Sequence, residues 1–200
     1  MEPLAAQIRP KNLDEYVGQQ HLVGNATDKK TAGPLRVAIE AQHVFSFILW
    51  GPPGVGKTTL ARIYAKALKA DYHELSAVSA GKDDIRQIVE GGALFGPKIL
   101  FLDEIHRFNK AQQDFLLPYV ESGSLVLIGA TTENPSFEVI PALLSRCRVF
   151  VLNELTDDDM REIIKRTNQQ LDTKATDWLV EMAGGDARQG TRHLEGRHLG

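Results

Sequence analysis

The 200-residue chain contains one cysteine, Cys147. A single thiol excludes an internal disulfide framework and leaves no cysteine cluster for zinc, which suits a reducing compartment. The six histidines, among them His21, His43, His73 and His106, nowhere show the spacing of a metal-ligand set. No apolar stretch approaches the roughly 18 residues of a membrane-spanning helix, and the opening MEPLAAQIRP lacks the apolar segment of a secretory leader. The excess of one charge over the other is also small: a net charge of −3 excludes a whole-chain polycation. What is present is ordinary, with 42% apolar and 24% charged residues, so collagen-like, low-complexity and disordered chains are excluded as well. Together these features predict a soluble intracellular chain with a real core, in one large domain or a domain with a small companion.

The charge is unevenly placed. Residues 1–150 carry 16 basic and 16 acidic residues, whereas residues 151–200 carry 7 and 10. Any nucleic-acid surface must therefore be a local patch, because bulk electrostatics supplies none. The apolar pattern predicts strands at 45–50 (FSFILW), 72–76 (YHELS), 98–103 (KILFLD), 125–130 (LVLIGA) and 149–152 (VFVL). Several are continuous apolar runs, as expected for strands buried on both faces of a parallel sheet. Helical patterns lie between them at 57–68, 82–90 and 110–120; the last opens with Asn109 and Gln112 in capping-box spacing, and Pro118 should kink or end it. After residue 152 only helices are expected: 157–168 capped by Thr156 and Asp159, then 176–183, then a third capped by Asp186. The reading is an α/β fold with a mainly parallel five-stranded sheet, followed by a small helical domain divided from it near residue 153.

Between the first strand and first helix of that core the chain reads Gly51, Pro52, Pro53, Gly54, Val55, Gly56, Lys57, Thr58, Thr59. This fits G-x-x-x-x-G-K-[ST], the phosphate-binding loop. Gly54 and Gly56 permit backbone turns that aim successive N–H groups at phosphate oxygens, and the helix that follows adds its positive N-terminal dipole. Lys57 is suited to the β/γ-phosphates and the Thr58 hydroxyl to Mg²⁺. The strand ILFL then delivers Asp103 and Glu104 at its C-terminal end, where ligands of α/β sheets bind. Asp103 is suited to hold Mg²⁺ through water, and Glu104 to activate an attacking water. Kinases of small molecules need no such glutamate, so the pair points to hydrolysis; alone, it could equally be two solvated acids at a strand exit. Farther on, Asn134 follows the strand LVLIGA, where its amide can face a γ-phosphate or simply make an Asn-Pro turn. Arg146 precedes the last strand, and a planar guanidinium can neutralise charge on a transferring phosphoryl group.

GPPGVGKT, ILFLDE, GATTENP and SRC occur in this order and resemble an AAA+ P-loop ATPase of the clamp-loader clade. The longer strings FLDEIHRFNKAQQDFLLPYVESG and IGATTENPSFEVIPALLSRCRV, with LAAQIRPKNLDEYVGQQHLVG at the N-terminus, resemble the family of replication-associated recombination protein A (MgsA) and Werner-helicase-interacting protein. The resemblance covers about residues 4–188. It implies Walker A roles for Lys57 and Thr58, a Walker B pair in Asp103 and Glu104, sensor 1 in Asn134 and an arginine finger acting in trans in Arg146. It further implies sensor 2 in Arg188 of GDAR, and an adenine-side segment over residues 1–20 with Ile8, Arg9, Pro10, Val17 and Gly18 at the base. Without the family, Arg188 would read as a surface arginine. Residues 21–153 would be the ATPase core and 154–200 a helical lid. The family's lid helix continues with apolar residues, whereas here Gly190 and Gly196 interrupt it, each costing about 1 kcal/mol relative to alanine. The lid is therefore expected to be incomplete or frayed, with the family's C-terminal oligomerisation domain absent.

The function expected from the resemblance is Mg²⁺-dependent ATP hydrolysis in replication-fork maintenance, repair and recombination. The implied cofactors are ATP/ADP and Mg²⁺. The implied partners are further copies of the full-length protein, single-stranded or forked DNA and single-strand-binding protein, with no membrane. The location would be the bacterial cytoplasm at the nucleoid, or a eukaryotic nucleus. The alternatives are a clamp-loader subunit and an ATP-gated binding module with little turnover. Cys147, flanked by arginines that could lower its pKa, reads as a small structural residue, Phe108, Phe115 and Leu116 as helix packing, Phe137 as a partner contact, and Lys29-Lys30 as solvated.

Overall fold

The computed structural model describes residues 4–24, 31–92, 96–167 and 171–196. Five parallel strands form the centre: β1 (Phe47–Trp50), β2 (Asp71–Ser76), β3 (Lys98–Asp103), β4 (Val126–Thr131) and β5 (Arg148–Val151), in the order β2-β3-β4-β1-β5. Each lies within two residues of its sequence-based span at either end. β4 inserts between β1 and β3, with Phe47 opposite Ile128 and Phe101 also opposite Ile128 from the other side. The C-terminal ends of β1, β3 and β4 therefore lie side by side along one rim of the sheet.

Why the three central strands β1, β3 and β4 are nearly continuous apolar runs follows from the layers. On one face Phe47, Leu49, Phe101 and Ile128 pack with Leu60 and Tyr64 of α4 (Lys57–Ala67). On the other, Ile48, Leu100, Leu102 and Leu127 pack with Ile85 of α5 (Lys82–Glu90) and Leu116 of α6 (Lys110–Glu121). Alternate residues of one strand point to opposite faces, and both faces of these central strands are covered, so both register positions are apolar; the edge strands β2 and β5 are less covered and carry polar residues. The capping box at α6 forms as expected, with Asn109 Oδ1 accepting from Gln112 N and Gln112 Oε1 from Asn109 N, at 2.9 Å each. Pro118 does not end α6, which runs on to Glu121. Pro118 and Asp114 one turn before it are exposed, so the carbonyl that loses its partner faces water, and Ser122 N still bonds Pro118 O.

Short helices that periodicity missed cover the edges and turns: α1 (Leu4–Gln7), α2 (Gln20–Val23), α3 (Pro34–Glu40), α7 (Pro135–Glu138) and α8 (Pro141–Leu144), with a 3-10 turn at Ile105–Arg107. Each α-helix has seven residues or fewer, too short to show a periodic face.

Beyond β5 come α9 (Asp157–Lys165), α10 (Thr173–Ala183) and α11 (Ala187–Gly196). Thr156 and Asp159 cap α9 reciprocally, Asp172 caps α10, and Asp186 Oδ1 accepts from Arg188 N at 2.8 Å to open α11. The last helix, expected to be interrupted at Gly190, runs through it to Gly196. α11 passes through Gly190 because that glycine is where it meets its neighbours: a Cβ there would sit 2.9 Å from Met160 Cε and 3.4 Å from Ala183 Cβ. Leu194 then enters a separate small core with Leu155, Met160, Ile164, Leu179, Val180 and Ala183. Asn168, Lys29-Lys30 and residues 197–200, on which sequence expectations also fell, lie outside the described residues.

Candidate nucleotide site

The loop from Gly51 to Gly56 joins the buried end of β1 to α4. Gly54 (φ +72°) and Gly56 (φ +99°) hold the left-handed turns the phosphate-loop reading requires of them. Lys57 opens α4 and folds back over its own loop, its Nζ donating to Gly51 O and Pro52 O at 2.6 Å each. Burial lowers its pKa from 10.5 to about 8; the carboxylates of Asp103 and Asp186 oppose that shift and the guanidinium of Arg188 adds to it. A cation held part-desolvated beside a second cation is an electrostatic seat for an anion. Bringing phosphate oxygens there stabilises both charges at once.

One cleft is lined by most of the residues that sequence singled out: Ile8, Arg9, Pro10, Val17, Pro53, Gly54, Val55, Gly56, Lys57, Thr58, Thr59, Asp103, Glu104 and Arg188. Glu104, at the exit of β3, has φ +54°, and its N–H lies 3.1 Å from Asp103 Oδ1. A non-glycine residue in the left-handed region stores backbone strain of order 1 kcal/mol, and such residues gather at functional sites. The donor set also suits a magnesium–nucleotide pair. Among the described residues no cluster of three or more carboxylate, histidine or cysteine ligands could cage a metal on its own. Thr58 and Asp103, one hydroxyl and one carboxylate on the same cleft, are what an ion that keeps waters and phosphate oxygens as its other ligands needs.

Five of the named residues do not line the cleft. Gly51 and Pro52 stand behind the loop, their carbonyls occupied by Lys57, and Gly51 is pressed so close to Leu152 O that a Cβ would come within 2.4 Å of it. Gly18 (φ +80°) backs onto Leu155 and Asp159 instead of facing the base side. Asn134 makes the turn: its Oδ1 accepts from Ser136 N at 3.0 Å and caps α7. The polar groups that β4 and its exit present to the cleft are Thr131 and Thr132. The Thr131 hydroxyl bonds His106 Nδ1 at 3.0 Å, tying the end of β4 to the turn after Glu104. Arg146 faces away from its own cleft, pairing with Glu121 at 2.6 Å and donating to Ala142 O. Flanking arginines do not activate Cys147; burial pushes its thiol up to about 12.

Sequence reasoning missed the rest of the wall: Tyr16, Leu155, Ile163, Arg166, Ala187 and Thr191. Tyr16 is buried beneath the loop, its hydroxyl donating toward Val55 O (3.2 Å) and Gly56 O (3.3 Å), and burial raises its pKa. A Cβ on Gly56 would meet that hydroxyl at 2.5 Å, a second demand for glycine there. Asp186 backs onto Gly54, and Ala187 N donates to Gly54 O at 3.2 Å, so the start of α11 docks directly on the phosphate loop. Arg166 donates to Glu15 O, joining the end of α9 to the N-terminal segment.

Residues 47–155 match the ATPase family associated with various cellular activities (AAA). The chain is 44% identical to replication-associated recombination protein A of Escherichia coli K12 over 97% of its own length and 45% of that protein's. It is 46% identical to ATPase WRNIP1 of Dictyostelium discoideum over 93% of its length and 22% of that protein's. Among solved structures, the RuvB Holliday junction branch migration motor of Thermotoga maritima superimposes with a TM-score of 0.74 at 32% identity, over 92% of this chain and 63% of that one. The chain thus spans less than half the length of these curated relatives. The five-stranded parallel sheet, the phosphate loop at its rim and the matched span agree: this chain belongs to the AAA family of ATPases.

Proposed function

We propose that the chain binds ATP with Mg²⁺ and hydrolyses it, as the motor domain of a protein that works on DNA at replication forks and in recombination. The observation that carries the ATP half is convergence: the phosphate loop, Asp103, Glu104 and Arg188, which lie far apart in sequence, line a single cleft. Thr58 and Asp103 would hold the ion, which when bound would neutralise the phosphate oxygens. Glu104 orients and deprotonates the attacking water, Lys57 and Arg188 bind the phosphates, and the arm from Ile8 to Val17 takes the base. Thr131 and Thr132, with Asn134 behind them, form the polar end of β4 beside the γ-phosphate.

The DNA half rests on the relatives, whose names speak of replication and recombination. Single-stranded or forked DNA, single-strand-binding protein and further copies of the protein are its proposed partners, at the bacterial nucleoid or in a eukaryotic nucleus. Arg146, which does not line its own cleft, is proposed to complete a neighbour's site in trans. That same geometry favours a second reading for an isolated copy, namely an ATP-gated binding module with little turnover. A clamp-loader subunit would instead form a stable complex with a sliding clamp in gel filtration.

ATPase rate against protein concentration, with and without single-stranded and forked DNA, tests the proposal. The rate per chain should rise with concentration in wild type and stay flat in Arg146→Ala. Lys57→Ala should lose ATP binding by about a hundredfold or more, and Glu104→Gln should bind ATP but not turn it over. Unaltered ATP affinity in Lys57→Ala would overturn the assignment of the site.

A further inference from the structure

Between Val151 and Asp157 the chain passes from core to lid, and this connection is the covalent route by which Arg166 and Arg188 reach the cleft. Gln19 grips the middle of it. Its Nε2 donates to Asn153 O at 2.7 Å, and its Oε1 accepts from Asn153 N at 2.9 Å, so one side chain pairs both backbone groups of one residue. Asn153 is exposed, and its backbone groups would find water without Gln19. The two bonds satisfy the buried Gln19 amide and, because Asn153 does not need them, also fix the linker in place. Gln19 itself is 6% exposed with φ +53°, a conformation a glutamine keeps only where its surroundings impose it.

Neighbouring contacts repeat the pattern. Gly18 lies so close to the linker that a Cβ would come within 2.8 Å of Leu155, and His21 Nε2 is 2.7 Å from Val151 O. Three residues before Gln19, the Tyr16 hydroxyl reaches the phosphate loop. The segment thus touches the loop, the linker and, through Glu15 and Arg166, the lid.

We propose that Gln19 is a positioning residue of the nucleotide site. It is not among the residues that line the cleft; it acts through Asn153, setting the linker so that α11 holds Arg188 over the phosphates. This rests on the ATP-site reading above. Without the amide pair the lid spends more time open, and bound nucleotide leaves faster through a phosphate loop that is itself intact.

The test is stopped-flow dissociation of a fluorescent ATP analogue from the full 200-residue chain. Gln19→Ala should speed dissociation about tenfold, the worth of two hydrogen bonds. Gln19→Glu keeps the acceptor for Asn153 N but cannot donate to Asn153 O, so it should fall in between; it also carries the test if the alanine variant does not fold. In an Arg188→Ala background, whose own dissociation rate is the reference, the effect of either substitution should shrink below about twofold, because the group being positioned is gone. A purely structural role would give the same factor in both backgrounds and would overturn the proposal, as would unchanged dissociation in Gln19→Ala. A wild type that fails to retain the analogue, or a Lys57→Ala variant that retains it equally, overturns the ATP-site reading instead.

Discussion

Two walls of the cleft are built by opposite means. The core wall comes from short contiguous strings, Pro53–Thr59 after β1 and Asp103-Glu104 after β3, each delivered by a strand buried on both faces. The other wall is assembled from residues 8–17 and from the lid, segments about 140 or more positions apart in sequence, held together by side chains reaching backbone: Gln19 to Asn153 and Arg166 to Glu15. The core wall sits on two large apolar layers, whereas the lid has one small cluster of its own. Under the proposed function, the groups assigned to chemistry lie on the side with the larger core, and the groups that would admit and release a ligand lie on the side with the smaller one, which should open at lower cost.

The largest test of that contrast compares two fully buried residues. The ring centroid of Phe47 lies 5.0 Å from that of Tyr64 and 5.5 Å from that of Phe150, and Phe47→Ala should cost about 3–5 kcal/mol of global stability. Leu194→Ala should cost about 2–4 kcal/mol, but chiefly in the lid. Hydrogen exchange separates them: Phe47→Ala should speed exchange of the slowest amides in β1 and β3, while Leu194→Ala should speed α9–α11 and leave those strands protected. Equal loss of protection in β1 from both substitutions would show one cooperative unit and dissolve the contrast.

A smaller effect lies at the seam. Lys57 keeps its proton to its ordinary pKa of 10.5 when unfolded but only to about 8 in the fold. Between those values the unfolded chain binds more protons, so the contribution of Lys57 to stability rises with pH from about 8 to 10.5 and is lost as pH falls through 8. Without nucleotide, Lys57→Met should therefore be most favoured over wild type below pH 8, with the difference in Tm shrinking toward pH 10. A difference constant across that range would mean that the lysine is not desolvated, and that the lid start at Asp186 and Arg188 does not shape its surroundings.

How legible each wall was follows from the same physics. A phosphate loop needs glycines, a lysine and a hydroxyl at fixed spacing, and a buried strand needs an unbroken apolar run; both are local demands, so Lys57, Thr58, Asp103 and Glu104 could be named with their strands before any fold was known. Asn134 stayed ambiguous because the same Asn-Pro pair serves a sensor or a capped turn, and only the position of β4 shows that Thr131 and Thr132 line the cleft. Tyr16, Gln19 and Arg166 were invisible for a different reason. Their partners are backbone carbonyls and amides, which carry no sequence signature, and the partners of Gln19 lie 134 residues away. Arg188 was placed by resemblance and by the Asp186 cap, and the docking of Ala187 on Gly54 explains how it reaches the cleft.

The finest test is Gly190, read from sequence as a helix breaker and found at the closest approach of α11 to its neighbours. Alanine gains about 1 kcal/mol of helix preference over glycine. Against this, the new Cβ would lie 2.9 Å from Met160 Cε and 3.4 Å from Ala183 Cβ. Met160 Cε is the free end of an unbranched side chain and can shift at little cost, whereas Ala183 Cβ is fixed to α10. Gly190→Ala should therefore stabilise the lid by no more than about 1 kcal/mol, seen as slower exchange in α11 with the slowest β1 amides unchanged. Gly190→Val adds branched volume that Met160 cannot clear and should loosen the lid by about 1–3 kcal/mol. If alanine alone loosens α11 by as much as valine, the lid is packed as tightly as the core, and its opening must come from the linker that Gln19 holds.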